Sequence, residues 1–384
     1  MTKLTKYKLG DLGFFFGGVT SIKPDDYGFG TPFLPYKNVY KNSKVNINEL
    51  ELMNVRQLDV ERRSAIYGDI FFTASSETPD EVAMSSVLLD NVENLTFNGF
   101  CKRFRLNDFK TLLPEYARYL FRDISFRREV YQVATGDIRF NISQESLSKI
   151  EINIPDVPTQ TQIAQILTSL DNKIEINIQM NQTLEAMAQA MFKEWFVYFK
   201  FPNFEGMLVD GLPKGWKISK LSTVCEIKYG KDHKHLENGD IPVYGSGGIM
   251  RYANKALFEK ESILIPRKGT LSNLFYVSKP FWSVDTMFYT IIKQESIRKY
   301  LFYLLKSLNL ASMNVGSAVP SLTTEVLNKI DIIIPDNKTL IEFENIISSF
   351  HSKMEVNNNQ IQTLNQTRDS LLSKLMGGKI EINH

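Results

Sequence analysis

One stretch of this chain occurs twice, and the duplication limits the folds that the sequence can adopt. Residues 142–195 align with residues 322–375 without a gap, at a constant offset of 180 residues, and about a third of the aligned positions are identical. A repeat of this length indicates one structural unit used twice. We therefore expect a pseudo-twofold internal repeat, in which each copy of the segment follows its own globular region.

Each copy of the repeat opens with the pattern of a strand and continues with the pattern of a helix. Isoleucines recur at every second position, and a proline then ends the run, which is typical of a half-buried strand. A capping box follows, in which a threonine and a Gln or Glu three residues later bind the first amides of a helix. The strands end at Pro155 and Pro335, and the boxes are Thr159 with Gln162 and Thr339 with Glu342.

The helix of each copy carries a seam that repeats in alternating steps of four and three residues over about five heptads, which is typical of a coiled coil. A helix on the order of 55 Å long cannot bury such a stripe against a small domain, so we expect the two helices to pack together, antiparallel. Asn177 and Asn357 share one seam position; a buried pair would fix the register, and a solvated edge is the alternative. The seam residues are Ile163, Leu170, Ile174, Asn177, Leu184, Phe350, Met354, Asn357, Leu364 and Leu371.

These patterns divide the chain into a first domain (1–155), a central helical spacer (156–206), a second domain (207–335) and a C-terminal helical spacer (336–384). The second domain holds 17 basic and 11 acidic side chains, whereas the first is balanced at 20 each. That difference is compatible with DNA contact, but ordinary scatter in surface charge also explains it. We predict an α+β fold: two α/β domains separated by two long helices that form an antiparallel coiled coil.

Glycine-rich and basic segments in both domains carry groups that proteins use on nucleic acids. Glycine lets the backbone approach a phosphate, and Arg or Lys donates to phosphates or guanine edges. Turn formation or solvated charge explains any single residue equally well, so we weigh them as a set. The first domain contributes Gly17, Gly18, Thr73, Ser75, Ser76, Lys102, Arg103 and Arg105, and the second contributes Tyr229, Lys231, Tyr244, Ser246, Arg267, Lys268 and Thr270. A further basic group on an expected helix is Arg118, Arg122, Arg127 and Arg128.

The sequence lacks most motifs of enzymes that act on DNA. No Pro-Pro dipeptide occurs, which excludes the Asn/Asp-Pro-Pro-aromatic loop of amino-methyltransferases, and no Gly-x-x-x-x-Gly-Lys-Ser/Thr phosphate loop exists. Pro335-Asp336 followed by Lys338 matches part of a metal-dependent nuclease site, but a strand-to-helix junction accounts for these residues better. His233 and His235 fall short of the three or four ligands that zinc needs. We expect no catalytic residue, no metal site and no bound cofactor.

Several short motifs along the chain carry a family resemblance. They are Pro-Thr-Gln-Thr-Gln-Ile at 158–163, Leu-Asp-Asn-Lys-Ile at 170–174 with Asn177, Leu-Glu at 184–185, Phe-Lys-Glu-Trp-Phe at 192–196, Leu-Pro-Lys-Gly-Trp at 212–216 and Ile-Pro-Arg-Lys-Gly-Thr at 265–270. In this order they resemble the specificity subunits of type I restriction-modification systems over essentially the whole chain. The first domain departs from the pattern, with Thr-Ala-Ser-Ser at 73–76 in place of Pro-Arg-Lys-Gly.

The resemblance implies a non-catalytic subunit that binds a bipartite site in double-stranded DNA. Each globular region would be a target-recognition domain for one half of the site, and the paired helices would set the gap. Such subunits dock two methyltransferase subunits, which bind S-adenosylmethionine and modify adenine, and the complex recruits restriction subunits that use ATP and Mg²⁺. We also expect a cytoplasmic protein with no membrane role, because no secretion signal or membrane-length apolar run occurs.

Two other functions compete with this prediction. A structural adaptor would bind proteins through both globular regions and use the coiled coil only as a spacer. An autonomous nuclease would cut DNA in a reaction that depends on Mg²⁺ and Asp336.

Overall fold

The computed structural model describes residues 3–20, 22–136, 139–314 and 320–380 and divides the chain into two compact units. The first unit contains residues 1–176 together with 360–384, and the second contains residues 177–359. The four predicted regions follow the order of the chain. The compact units instead combine one globular domain with a part of both long helices.

The globular domain of the first unit alternates short strands and short helices. Its strands are β1 (Thr5–Lys8), β2 (Gly13–Gly17), β3 (Tyr27–Leu34), β4 (Glu51–Met53), β5 (Ile70–Thr73), β6 (Ser75–Ser76), β7 (Ser85–Val87), β8 (Thr96–Phe97), β9 (Cys101–Leu106), β10 (Phe140–Asn141) and β11 (Glu151–Ile154). Its helices are α1 (Leu9–Leu12), α2 (Tyr36–Lys41), α3 (Gln57–Arg63), α4 (Pro114–Leu120), α5 (Ile124–Val133) and α6 (Gln144–Lys149). The first long helix, α7 (Val157–Phe196), follows.

The second globular domain has the same kinds of elements in a similar order. Its strands are β12 (Leu208–Val209), β13 (Leu212–Pro213), β14 (Lys217–Lys220), β15 (Cys225–Tyr229), β16 (Ile241–Gly245), β17 (Gly248–Ala253), β18 (Ser262–Pro266), β19 (Phe275–Val277), β20 (Trp282–Ser283), β21 (Met287–Ile292) and β22 (Asp331–Ile334). Its helices are α8 (Leu221–Val224), α9 (Arg298–Ser307) and α10 (Thr324–Asn328), and the second long helix, α11 (Asn337–Met376), comes next.

The two domains share one strand topology although their sequences differ. The sheet with strand order β2-β9-β5-β7 in the first domain corresponds to β15-β21-β18-β19 in the second. A second sheet, β4-β3-β8, corresponds to β17-β16-β20, and the last strand of each runs parallel to its neighbour. The strand of the repeat pairs antiparallel with the first strand of its own domain, β11 with β1 and β22 with β14. The predicted α+β fold and internal repeat are therefore confirmed.

One strand in each domain is buried on both faces, which explains its uninterrupted apolar sequence. In β5, Ile70 and Phe72 enter one core, whereas Phe71 enters another on the opposite face. In β18, Ile263 and Ile265 enter one core and Leu264 the other. Successive side chains of a strand point to opposite faces, so a strand covered on both sides must be apolar throughout.

Both long helices start at an aspartate, three residues before the predicted cap. Asp156 Oδ1 accepts from the Thr159 amide at 3.0 Å, and Asp336 Oδ1 accepts from the Thr339 amide at 3.1 Å. The prediction that the threonines cap these helices is therefore wrong, because aspartate after the strand-ending proline reaches the same amide first. The other carboxylate oxygen of Asp336 accepts from the Thr339 hydroxyl and from Trp216 Nε1. These bonds commit Asp336 to the helix start.

Within the first unit, the two helices pack antiparallel through an apolar seam and one ion-pair hub. Ile163 of α7 shares a core with Leu375 of α11. Further along α7, the carboxylate of Asp171 lies 3.0 Å from Nη1 of Arg368 in α11. This carboxylate is 13% exposed and also accepts from Arg118 at 2.6 Å and from the Tyr119 hydroxyl at 2.7 Å. Asp171 thus ties both helices to α4 of the globular domain.

Within the second unit, the helices meet at buried asparagines and an aromatic cluster. Asn177 and Asn357 are 1% and 0% exposed, which excludes the solvated edge and leaves the buried alternative. Asn357 Nδ2 donates to Asn181 Oδ1 at 2.8 Å, and Asn181 Nδ2 donates to Asn358 Oδ1 at the same distance. The remaining predicted seam residues of both helices are buried or half-buried: Ile163, Leu170, Ile174, Leu184, Phe350, Met354, Leu364 and Leu371.

His351 of α11 is enclosed by the aromatic side chains of the second unit. The Tyr303 hydroxyl lies 3.0 Å from His351 Nε2 and donates to Glu185 Oε2 at 3.0 Å. The rings of Tyr276 and Phe302 meet the imidazole edge to face. Burial, assisted by the positive charge of Lys299, lowers the pKa of His351 to about 4.

We expect the second unit to lose stability in mild acid through His351. The pKa of this histidine is about 4 in the folded state and near 6.5 in the unfolded state, so on acidification the unfolded state binds a proton first. The free energy of unfolding is therefore highest above about pH 6.5 and decreases as the pH falls towards 4. By pH 5 the loss amounts to about 2 kcal/mol. Urea unfolding measured by tryptophan fluorescence reports on this unit, because all three tryptophans lie within 177–359. An equally steep loss between pH 7 and 5 in His351→Gln would contradict this origin.

Candidate nucleic-acid interface

Two glycines mark the same point in both domains, where the edge strand leaves its sheet. A Cβ on Gly18 would lie 2.3 Å from the Asn98 carbonyl oxygen, and one on Gly230 would lie 2.1 Å from the Val284 carbonyl oxygen. These carbonyls follow β8 and β20, the parallel strands of the second sheets. The glycines are therefore required by close backbone packing, and they direct the following residues along one end of each domain.

The loops that follow β5 and β18 also occupy equivalent positions. Ile142 donates its amide to the Ala74 carbonyl at 3.0 Å, and Leu322, its counterpart in the repeat, donates to the Arg267 carbonyl at 2.9 Å. Ser75 and Ser76 then pair with β10, and Lys268 forms the matching bridge with Ser321. Ala74 of the first domain therefore stands where the second domain has Arg267.

We call this region of each domain its sheet end, because it continues from the last residues of the central strands. The sheet end of the first domain comprises Gly17, Gly18, Ser75, Ser76 and Lys102, since Gly17 and Phe72 both pair with Lys102 in the sheet. The sheet end of the second domain comprises Tyr229, Lys231, Ser246, Arg267, Lys268 and Thr270.

The sheet end of the second domain presents a cationic group supported by an aromatic ring. The Arg267 guanidinium carbon lies 5.3 Å from the centroid of the Tyr229 ring, and Nη1 donates to the Asp285 carbonyl at 3.2 Å. Tyr229 is 50% exposed, and the side chains of Lys231 and Lys268 are exposed as well. A half-buried guanidinium held over a ring keeps several N–H groups for an incoming acceptor, and Arg donating to guanine O6 and N7 is the commonest specific contact of proteins with DNA.

Ser246 and Thr270 complete this surface, whereas Tyr244 belongs to the domain core. The Ser246 carbonyl accepts from Asn273 Nδ2 at 2.7 Å, and Asn273 donates its amide to the Thr270 carbonyl, so the two loops support each other. Tyr244 is half-buried and packs against Phe275 and Phe281. Burial raises the pKa of its hydroxyl.

The sheet end of the first domain has a fixed glycine backbone and, at its two serines, borders a cavity. Arg63 Nη1 donates to the carbonyls of Gly17 and Gly18 at 2.7 and 2.8 Å and so fixes their backbone. The half-buried Ser75 and Ser76 line a cavity of about 340 Å³. Its other lining residues are Tyr36, Tyr40, Glu77, Glu81, Phe100 and Arg139.

Three predicted contact residues of the first domain have side chains committed to the domain itself. Thr73 is 0% exposed, and its hydroxyl accepts from the Met84 amide. Arg103 is 2% exposed, donates to the Ser64 carbonyl at 2.7 Å, and has its pKa lowered to about 10 by burial. Arg105 forms two hydrogen bonds of 2.7 Å with the buried carboxylate of Asp69. None of these three joins the sheet end.

The prediction that one helix carries the four further arginines is wrong, because Arg118 lies on α4, Arg122 in the turn after it, and Arg127 and Arg128 on α5. Three of these side chains are used inside the first unit. Arg122 donates to the carbonyls of Val39, Tyr40, Asn42 and Ser85, and Arg127 donates to those of Asp80, Val82 and Ala83. Arg118 binds Asp171. Arg122 and Arg127 thus satisfy backbone carbonyls of the domain, and Arg128 is left on the surface of α5.

Sequence reasoning missed the residues around the cavity. Tyr36, Tyr40, Glu81, Phe100 and Arg139 are spread over a hundred residues and form no motif. Of the cavity residues, Ser75 and Ser76 were predicted from the sequence as DNA contacts, whereas the residues that surround them were not. In the described ranges no set of three His, Cys, Asp or Glu side chains is placed to hold a metal, and no helix there is long and apolar enough to cross a membrane.

Comparison with known proteins gives consistent matches. The family model described as type I restriction modification DNA specificity domain matches residues 2–186 and 213–366. The chain is 25% identical to the specificity subunit of the type I restriction enzyme MjaIX from Methanocaldococcus jannaschii, over 71% of this chain and 72% of that protein. It is 26% identical to the HindI specificity subunit from Haemophilus influenzae, over 62% and 71%. A crystal structure of a type I S subunit from M. genitalium matches with a TM-score of 0.63 at 18% identity, over 100% of this chain and 97% of that one.

Proposed function

Since the chain belongs to the family of type I restriction-modification DNA specificity subunits, we propose that its two domains read the two halves of a bipartite target in double-stranded DNA. The observation that carries this proposal is the pair of equivalent sheet ends. Both domains present the same backbone frame at this point, fixed by Gly18 and Gly230, yet Ala74 in one replaces Arg267 in the other. Two domains that share a backbone arrangement and differ in their side chains can each recognise different bases.

The long helices would set the gap between the two half-sites. Each contains 40 residues, which corresponds to a length of about 60 Å. The buried Asn357 in the seam favours one register, because a slip would take its Nδ2 donor away from Asn181 Oδ1. A fixed register gives a spacer of one length, as recognition of a fixed gap requires.

The catalytic steps would belong to partner subunits. In this proposal the chain docks two methyltransferase subunits, which supply S-adenosylmethionine, and the complex recruits restriction subunits that use ATP and Mg²⁺. Asp336, the residue on which an autonomous nuclease would depend, binds Thr339 and Trp216 at the start of α11. This arrangement favours a specificity role over the nuclease alternative.

Selection of bound duplexes tests the proposal. The chain is reconstituted with its methyltransferase partner, incubated with random duplexes at moderate salt, and the retained DNA is sequenced. We expect a bipartite consensus with a fixed gap. A single contiguous site, or no binding to any duplex, would contradict the proposal, and the second result would favour the structural adaptor.

We expect Arg267→Gln to relax one position of the half-site that the second domain reads. Loss of a bidentate donor to guanine costs about 1–3 kcal/mol of discrimination at that base pair. Lys260→Gln removes the same charge from an exposed turn of the same domain and serves as the control. If both variants weakened all sequences equally, Arg267 would be a phosphate contact and not a reader of bases.

A further inference from the structure

The sheet end of the first domain has a cavity with carboxylates in its wall, whereas the sheet end of the second domain presents the Arg267 guanidinium. Where the second domain has Arg267, the first has Ala74, and the two residues that follow it, Ser75 and Ser76, line the cavity. Two carboxylates line the cavity, those of the exposed Glu77 and the half-buried Glu81. The sheet end of the second domain therefore presents cations, whereas the cavity of the first domain presents two carboxylates together with Arg139.

Two hydroxyl groups hold the Glu81 carboxylate in place. Tyr40 donates to Oε1 at 2.6 Å, and Ser76 donates to Oε2 at 3.1 Å. The hydrogen bond from Tyr40, against the opposing effect of burial, keeps the pKa of Glu81 below its ordinary value, so the group is ionised at neutral pH. An ionised carboxylate offers about four lone-pair sites and no donor, and two hydroxyls leave acceptor capacity directed to the cavity.

Aromatic rings and one guanidinium form much of the remaining cavity wall. Phe100 is 61% exposed at its rim, and Tyr36 and Tyr40 stack with ring centroids 6.2 Å apart and planes 14° from parallel. The Tyr36 hydroxyl donates to the Ser75 carbonyl at 2.7 Å, which fixes that ring against the loop. Arg139 also lines the cavity and adds a positive group suited to a phosphate.

We propose that Glu81 is the base-reading acceptor of the first domain and that it accepts a hydrogen bond from the 4-amino group of a cytosine in its half-site. This inference rests on the proposed function. Guanine and thymine present acceptors at the corresponding places in the major groove, which a carboxylate repels, and adenine presents its amino group beside the N7 acceptor. Cytosine itself presents only an amino donor in the major groove, and Glu or Asp accepting from this group is one of the recurrent pairings of side chains with bases. The two domains thus read their half-sites in opposite senses, the second by donating from Arg267 and the first by accepting at Glu81.

The test compares the DNA consensus of Glu81→Gln with that of the wild type, both in the reconstituted complex with the methyltransferase partner. Glutamine keeps the shape of the side chain, but it has a single acceptor oxygen, so it can keep the hydrogen bond from only one of the two hydroxyls. Its amide nitrogen replaces the other oxygen and adds a donor. We expect the preference for cytosine at one position of one half-site to fall about tenfold to a hundredfold, with adenine gaining, while the other half-site and the gap stay unchanged. Glu93→Gln, which removes an exposed carboxylate elsewhere in the domain, is the control and should leave the consensus as it is.

A second variant covers the case in which Glu81→Gln fails to fold. Phe100 is too exposed to support the core, so Phe100→Ala should fold and should weaken selection at the same position of the same half-site. A wild-type bipartite consensus that neither variant alters would overturn the role of Glu81 and leave the proposed function intact. A wild-type complex that selects no bipartite site would overturn both.

Discussion

Lengthening both long helices by one heptad is expected to widen the gap in the DNA target by about three base pairs and to leave both half-sites unchanged. Seven residues add about 10 Å to a helix and keep the seam in phase, and a base pair occupies about 3.4 Å of duplex. The insertions belong after Ile176 in α7 and after Asn359 in α11, where both helices pass from one compact unit to the other. Binding to the original target should be lost.

The control lengthens α7 alone. One added heptad then shifts its seam against α11, so that Asn181 no longer meets Asn357 and the buried amides lose their partners. We expect no bipartite target from this chain. Sequencing of the duplexes retained by each complex gives the gap directly, and an unchanged gap in the doubly lengthened chain would show that the helices do not set it.

Asp171→Ala is expected to destabilise the first unit strongly. The substitution leaves the guanidinium groups of Arg118 and Arg368 and the Tyr119 hydroxyl without their common acceptor in a mostly buried site. Removal of one partner from a buried ion pair costs about 3 kcal/mol or more. Hydrogen exchange of the 114–120 helix should accelerate accordingly, whereas the 298–307 helix of the other unit should not change.

Asp369→Ala provides the matched control. Asp369 also accepts from Arg368, at 2.9 Å, but its side chain is 65% exposed. An exposed pair contributes about 0–1 kcal/mol, so exchange of the 114–120 helix should remain close to that of the wild type. Equal acceleration in both variants would mean that Arg368, and not the buried hub, determines the stability of this region.

The periodic features of this fold could be predicted from the sequence, whereas features set by one local contact could not. The alternating isoleucines and the heptad seam gave the strand, the long helix and their duplication, because many residues repeat the same signal. The helix caps were misassigned because threonine and aspartate both cap well, and only the position of the carboxylate beside the Thr159 amide decides between them. The identical sheet order of the two domains could not be predicted, because beyond the apolar central strands β5 and β18 the sequences of the paired strands diverge.

The candidate site was predictable where it depends on a contiguous motif and not where it depends on the fold. Arg267, Lys268 and Tyr229 reach the same sheet end, as their glycine-rich surroundings suggested. Arg103 and Arg105 resemble them in sequence, but the strand carries one into the interior and sets the other against Asp69. Charge alone does not distinguish a guanidinium aimed at solvent from one that satisfies carbonyls inside the domain.

The composition of the first unit affects how the chain can fold during its synthesis. Ile163 and Leu167 of α7 share a core with Leu375 and Met376 of α11, which the ribosome adds roughly 200 residues later. At typical rates of translation, about 5–20 residues per second, the apolar stripe of the nascent helix waits roughly 10 to 40 s for its partner. The whole second domain emerges during that interval. The first unit to be started is therefore the last to be completed, and its uncovered helix is the segment on which a chaperone would act.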